Sequence, residues 1–131
     1  MTKKEMIYNI LEQMGYMPEF DEDDVIVRFQ MKPLVFITNE ADEDPFVCIL
    51  YSQFCEFEEE ESALYLAACN KLTREGKLVK FFVDYSLTHV SATCEFFFED
   101  ESNLKFCIEK ALRVISILRT SLRECIRELS E

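Results

Sequence analysis

The hydrophobic period of this chain switches between helix and strand spacing, and that pattern limits the fold more than any other feature. Near the N-terminus and beyond residue 100, apolar residues recur three and four positions apart, as on one side of an α-helix. Across residues 25–53 and 78–98 they alternate with every second position, as in β-strands. Short connections between the strands predict an antiparallel arrangement. We therefore expect an α+β fold with an antiparallel sheet and the order α-β-β-β-α-β-β-α.

The ends of the helices are marked by specific residues. Residues 2–5, TKKE, form a capping-box pattern, and Gly15 ends the first helix because glycine takes the left-handed C′ position at low cost. The acidic residues 58–61 open a second helix, and Asp100 or Ser102 caps a long final helix. That final helix carries a heptad-spaced apolar seam: Leu104, Ile108, Ala111, Ile115, Leu118, Leu122, Cys125 and Leu129. The seam predicts that one broad face of this helix packs into the core. Alternatively, one side of the helix packs on the sheet and another side on a second chain.

The connections between the first strands follow turn-forming residues. The acidic residues 21–24 are expected to form a loop, and Lys32 with Pro33 a tight turn between strands at 25–31 and 34–39. A second turn is expected at residues 41–45. The loop lacks the glycine and distal glutamate of a calcium-binding EF-hand loop, so it is interpreted as a solvated connection.

Length and cysteine usage indicate one cytoplasmic domain over residues 1–131. A chain of 131 residues, 49% of them hydrophobic, can bury a core without a metal or a disulfide. The six cysteines form no CxxC pair, and the N-terminus has no secretory-signal pattern, so the thiols are expected to be reduced. No apolar run approaches the ~20 residues needed to span a bilayer.

Charge favours a protein partner over nucleic acid or membrane. A net charge of −12 repels phosphate backbones and anionic lipid surfaces and attracts basic proteins or peptides, although acidity also serves solubility alone. Residues 102–131 depart from this balance, with six basic and four acidic side chains. Arg119, Arg123 and Arg127 recur every four positions there and predict a basic stripe on the final helix, paired locally or with a partner.

Catalytic groups are scarce. His89 is the only histidine, so nucleophilic catalysis would have to pair it with Cys94 or Cys55, and nothing in the local sequence supports such a pair. Two glycines cannot build a phosphate-binding loop, and no metal-ligand spacing occurs. We therefore expect no enzyme activity, no cofactor and no metal.

The predicted sheet is apolar on both faces. Phe46, Cys48 and Leu50 alternate with a second set of apolar residues in the same strand. A single layer of helices would therefore leave one apolar set exposed to solvent. A helix, a second subunit or a ligand must cover the other face. The residues predicted to contact a partner there are Tyr51, Ile49, Phe82 and Phe97. The residues predicted to join two protomers are Leu64, Tyr65 and Ala68 on the second helix, with the outer side of the final helix as the alternative contact.

Several stretches resemble the YbjN-like family. Residues 67–72, AACNKL, run through a turn with Arg74 and Lys77 into residues 80–84, KFFVD, and residues 10–16, ILEQMGY, look like the family's opening helix. The resemblance covers nearly the whole chain as a pattern of elements. It implies a fold similar to class I chaperones of type III secretion: a homodimer that presents apolar grooves to extended partner segments, with no catalytic residues. The chain departs from the family in its richness in Phe and Cys.

These observations predict a non-enzymatic, cytoplasmic protein-binding module, chaperone-like or a regulatory adaptor, that acts as a homodimer. An alternative is an acidic immunity-type inhibitor that neutralises a basic toxin. A third hypothesis, an enzyme or small-ligand binder, requires a pocket that holds titratable groups.

Overall fold

The computed structural model describes residues 1–38 and 44–131 and confirms the α+β class. Six antiparallel strands form one sheet in the order β1-β2-β3-β4-β6-β5. The turn expected at residues 41–45 and the last residue of the strand expected at 34–39 fall largely outside the described residues. The elements are α1 (Lys3–Gln13), β1 (Glu19–Asp21), β2 (Asp24–Phe29), β3 (Lys32–Ile37), β4 (Phe46–Glu56), α2 (Ser62–Glu75), β5 (Val79–Val83), β6 (His89–Phe97), α3 (Glu101–Ile115) and α4 (Leu118–Ser130).

The ends of α1 are those predicted. The Glu5 N–H donates to the Thr2 hydroxyl oxygen and the Thr2 N–H donates to the Glu5 carboxylate, each at 3.2 Å, which completes the capping box. Gly15 has a φ of +93°, the left-handed conformation expected just beyond the helix. The helix buries Ile7, Ile10 and Leu11 against the sheet and α3.

Two predicted connections near the N-terminus are wrong. The acidic segment at 21–24 is not simply a loop, because Asp21 ends β1 and Asp24 begins β2, with only residues 22 and 23 turning between them. Lys32 and Pro33 are not a turn but the first residues of β3, where a proline at the start of a strand is tolerated.

The β2–β3 turn instead consists of Gln30 and Met31, which both take positive φ, +50° and +69°. Neither is a residue that favours this conformation, so the sequence gives no turn signal. Gln30 is held by two hydrogen bonds: its amide donates to the carbonyl of Ser116 at 3.0 Å and accepts from the Tyr51 hydroxyl at 3.1 Å. Contacts with distant elements therefore stabilise a local conformation that the residues themselves disfavour.

The described helices all pack on one face of the sheet. Strand alternation directs one side chain in two towards them, and these strand residues form the buried core together with apolar residues of α1, α3 and α4. The core residues of the strands are Val25, Val27, Phe29, Leu34, Phe36, Val47, Ile49, Tyr51, Phe54, Val79, Phe81, Val90, Ala92 and Cys94. We call this side the covered face and the opposite side the open face.

The C-terminal segment forms two helices rather than the expected single one. Asp100 caps α3 as predicted, accepting from the Asn103 N–H at 2.8 Å. The helix stops at Ser116, whose hydroxyl donates to the Arg113 carbonyl at 2.6 Å, a bond that competes with helix continuation. The apolar seam still faces the core on both sides of the break, since all of its members except Leu129 are buried.

The helix α2 closes one edge of the domain. It follows a short 3-10 turn at Glu59–Glu61, and its buried Ala68 and Cys69 face α4, where the Cys125 sulfur lies 4.0 Å from the Ala68 carbonyl oxygen. The Thr73 hydroxyl accepts from the Phe81 N–H at 2.8 Å, which occupies a free backbone group on the outer edge of β5. None of the described helices has the length and apolar character needed to cross a membrane.

Burial along the C-terminal seam predicts a difference in stability between two of its leucines. Leu104→Ala should lower the free energy of unfolding by about 2–5 kcal/mol, because Leu104 is fully buried and the change leaves a cavity. The matched control Leu129→Ala should cost well under about 1 kcal/mol, since Leu129 is 39% exposed. Urea unfolding measures both. Equal losses would contradict the placement of the seam.

Candidate functional site

The open face of the sheet is an apolar surface that no described helix covers. Its central row runs across neighbouring strands through Ile26, Val35 and Leu50, which are direct cross-strand partners, and continues to Thr93 on β6. These side chains are only partly buried, although they lie in the middle of the sheet. One face of an antiparallel sheet is commonly polar and wet, so an apolar row in this position is unusual for a free surface.

Aromatic residues extend this surface to one end of the sheet. Phe46 and Phe97 are cross-strand partners whose ring centroids lie 5.1 Å apart, and Phe97 is 70% exposed. Ile37, next to them on β3, is also exposed. Aromatic side chains combine a large contact area with few rotatable bonds, which suits a binding surface.

A charged pair borders the apolar surface on the β5–β6 side. The Lys80 ammonium lies 2.6 Å from the Glu95 carboxylate, and this hydrogen bond raises the pKa of Lys80. Lys80 is exposed and Glu95 is partly exposed, so solvent screens the pair and it contributes little to stability. It instead limits the apolar surface to β2, β3 and β4 with the ends of β5 and β6.

Two of the four predicted partner contacts lie on the open face and two do not. Phe82 and Phe97 are on it and are exposed. Tyr51 and Ile49 are wrong, because both are fully buried on the covered face opposite Ala92 and Cys94. Strand alternation explains the error: the open-face residues of β4 are the even-numbered ones, Phe46, Cys48 and Leu50.

Sequence reasoning missed the open-face residues Ile26, Val35 and Ile37. A signal for them was present. Each is an apolar residue that alternates with the buried residues of β2 or β3 and so points to the opposite face. What the sequence did not reveal is the cross-strand register, which brings Ile26, Val35 and Leu50 into one continuous row.

The three residues predicted for a dimer contact on α2 have different environments. Ala68 is wrong, because it is fully buried against α4 within the same chain. Tyr65 is partly buried, and its ring stacks on that of Phe57 with centroids 4.3 Å apart. Leu64 is also partly buried. For these two residues a contact between protomers stays a prediction.

His89 and its two candidate nucleophiles lie on opposite faces of the sheet. Cys55 pairs with Val90, next to His89 along β6, but on the covered face. Five residues of extended strand separate His89 from Cys94, a distance of about 17 Å, and the odd spacing puts them on opposite faces. Burial raises the pKa of Cys94 to about 11 and also raises the pKa of Cys55, so both are neutral thiols at pH 7. Among residues 1–38 and 44–131, no group of His, Cys, Asp and Glu is arranged to hold a metal ion.

Comparison with known proteins supports the fold. No protein-family model matches the chain, and no curated protein matches it. Solved structures that share the fold include an uncharacterized protein from Methanothermobacter thermautotrophicus, 15% identical with a TM-score of 0.64, covering 95% of this chain and 96% of that one. They also include YbjN from E. coli, described as a candidate transcription regulator, 10% identical with a TM-score of 0.67, covering 95% and 91%. These identities show a shared fold alone, and they confirm the expected likeness to YbjN at that level.

The buried thiols predict how stability depends on pH. Burial raises the pKa of Cys69 from 9.0 to about 12. Above pH 9 the unfolded chain loses this proton while the folded chain keeps it, so the free energy of unfolding falls as pH rises. The loss for one such thiol approaches about 1.4 kcal/mol per pH unit.

Cys69→Ala should therefore lose stability less steeply than the wild type between pH 9 and 10.5, measured by urea unfolding at several pH values. As a control, Leu104→Ala should lower stability without changing the slope, because it removes no titratable group. Identical slopes for Cys69→Ala and the wild type would contradict the burial of this thiol.

Proposed function

We propose that this protein is a non-enzymatic protein-binding module that acts as a homodimer in a chaperone-like or regulatory adaptor role. The open face carries the proposal. It presents aliphatic and aromatic side chains to solvent in the centre of a sheet, where a free domain gains nothing from them. Contiguous apolar surface of this kind is typical of protein-interaction sites.

The size of the open face favours a modest interface. Six strands about 4.8 Å apart span roughly 25 Å, and six residues of strand rise about 20 Å, which gives a flat area on the order of 500 Å². Stable complexes bury about 800 Å² on each partner. An occupant of the open face alone would therefore bind reversibly, as expected for a chaperone or adaptor that releases its partner.

The charge around the open face indicates the chemistry of its occupant. The exposed acidic residues Glu99, Asp100 and Glu101 follow the aromatic end of β6, and exposed acidic residues 21–23 lie at the β1–β2 end. Two copies of a chain with a net charge of −12 would repel each other across such rims. A segment of another protein with apolar residues at alternate positions and basic flanks fits the surface better.

The dimer contact is assigned to α2 instead. Its exposed side carries Ala63, Leu66, Ala67 and Asn70, and no charge over about two turns, in a chain of which 31% is charged. Small uncharged residues allow two helices to approach closely. This surface adjoins Leu64 and Tyr65, which were predicted from sequence for the same role.

The open-face assignment predicts the effect of one substitution on partner capture. Phe97→Asp should abolish retention of proteins that the wild type retains from extracts of its host, because it places a charge in the apolar surface. The matched control Phe106→Asp changes another exposed Phe, on α3, which is 56% exposed against 70% for Phe97, and should retain them. Quantitative mass spectrometry of the bound fractions measures this. Equal loss in both variants, or no loss in either, rules out the open face as the site.

The α2 assignment predicts the oligomeric state. Light scattering during size-exclusion chromatography should give twice the chain mass of 15.5 kDa for the wild type and for Phe106→Asp. Leu66→Asp should shift the protein to the monomer mass, because two carboxylates would meet at the contact. A wild-type monomer at high concentration removes the dimer from the proposal, and a dimeric Leu66→Asp moves the contact elsewhere.

The acidic immunity-type inhibitor is the second candidate, and the exposed acidic residues 58–61 favour it. That function relies on charge, whereas the open face relies on apolar contact. Salt distinguishes them: raising the ionic strength from 0.1 to 1 M shortens the screening length from ~10 Å to ~3 Å and would release a basic toxin. Binding at the open face should persist in high salt.

A further inference from the structure

A separate cleft lies on the helical side of the molecule, away from the open face. It has a volume of about 280 Å³ and opens between the end of β4, α2 and α4. Phe54 and Leu122, both buried, contribute its apolar lining together with Ile126. Arg119 and Arg123, one helical turn apart on α4, also line it. The cleft thus combines an apolar interior with two cations.

A shift in the register of β4 positions the aromatic residues on the apolar side of the cleft. The register between β4 and β6 shifts between Tyr51 and Cys55, where Gln53 takes a φ of +46° and its N–H donates to the Ser91 hydroxyl at 2.8 Å. The shift puts Tyr51 and Phe54, three residues apart, on the same face with parallel rings 4.8 Å apart. A flat aromatic surface results below the arginines.

The two arginines of the cleft form no ion pair with any described residue. Cations that form ion pairs elsewhere in the described part of the chain include Lys71, Arg74 and Lys80. The Nε–H of Arg119 is buried without a hydrogen-bond acceptor in the described part of the protein, and its guanidinium lies 6.0 Å from the centre of the Tyr51 ring. In a chain with 26 acidic side chains, two cations left unpaired beside one cleft favour an anionic ligand.

The other titratable groups of the cleft are neutral donors. Burial raises the pKa of Tyr65 and that of Cys55, while the positive charge of Arg119 lowers the pKa of Cys55. The Tyr65 hydroxyl and the Cys55 thiol, which hydrogen-bond each other beside the cleft, are therefore neutral at pH 7. Glu61 is the acidic group close enough to raise both pKa values, and it is exposed at the start of α2.

We propose that this cleft binds a small amphiphilic carboxylate, with the carboxylate held by Arg119 and Arg123 and a flat apolar body against Phe54, Leu122 and Ile126. A guanidinium matches a carboxylate through two parallel N–H donors. The volume lies just below the ~300–1,000 Å³ of sites for drug-sized molecules, so a single aromatic ring suits it. The inference does not depend on the protein-binding role of the open face, because the two surfaces share no residue.

The test uses 3-phenylpropionate as the probe and its neutral analogue 3-phenylpropan-1-ol as the ligand control, titrated into the full chain and followed by two-dimensional NMR. The carboxylate should bind with a dissociation constant on the order of 1 mM or tighter and shift amide signals of α4 and the end of β4. The alcohol should bind at least about tenfold more weakly, because it leaves the arginines unpaired. Acetate and inorganic phosphate should also bind more weakly than 3-phenylpropionate, since they lack the apolar body.

Variants of the basic stripe locate the site. Arg123→Gln changes an exposed residue, so it should keep the fold and weaken binding of 3-phenylpropionate at least about tenfold. Arg119→Lys keeps the charge but not the paired donors and should also bind more weakly. The matched control Arg127→Gln removes the next cation of the stripe, which does not line the cleft, and should bind as the wild type does.

Three results would overturn the proposal: no shifts with 3-phenylpropionate at several millimolar, equal binding of the alcohol, or an equal loss in Arg127→Gln. Tighter binding of phosphate or acetate than of 3-phenylpropionate would replace the amphiphile by a simple anion and overturn the assigned ligand class. Capture of a partner at the open face would be unaffected by any of these results.

Discussion

The helical cover of the sheet is one-sided, and the remaining features of the molecule follow from that constraint. Six strands carry apolar residues on both faces, but the described helices pack on one of them only. On that face the strand residues are almost completely buried, which gives the domain its core. On the other face the same alternation leaves Val35, Leu50 and Phe97 partly or largely exposed. The domain therefore has a fully formed core, but one face of its sheet remains an uncovered apolar surface.

Tyr51 connects the core to the elements around the cleft. Its ring is fully buried, stacks on Phe54 and meets the edge of Phe29 at 6.0 Å, while the Arg119 guanidinium lies over it. Its hydroxyl reaches Gln30, which in turn bonds the carbonyl of Ser116 at the break between α3 and α4. One side chain thus links the strained β2–β3 turn, the irregularity of β4 and the point where the C-terminal helix changes direction.

The sequence predicted that a second apolar face of the sheet exists, but only some of the residues on that face. The alternation in β4 showed that both faces were apolar, and Phe82 and Phe97 are on the open face as expected. Tyr51 and Ile49 were assigned to the wrong face, because alternation alone does not say which of two apolar sets the helices cover. Ala68 was predicted at a contact between protomers, but its small side chain is buried where α4 packs against α2. The basic stripe was visible in the sequence. The sequence did not reveal that two of its three arginines border a cleft.

The sequence by itself determined the class of the fold, the capping box at Thr2, the left-handed Gly15 and the burial of the C-terminal seam as far as Cys125, because each depends on residues within a few positions of one another. Only the tertiary structure decided which face of the sheet is covered, where the final helix breaks, that Gln30 and Met31 form a turn, and which arginines share a cleft. These features depend on contacts between residues as distant as Gln30 and Ser116. Local propensity does not encode such contacts, and the packing of the whole chain selects them.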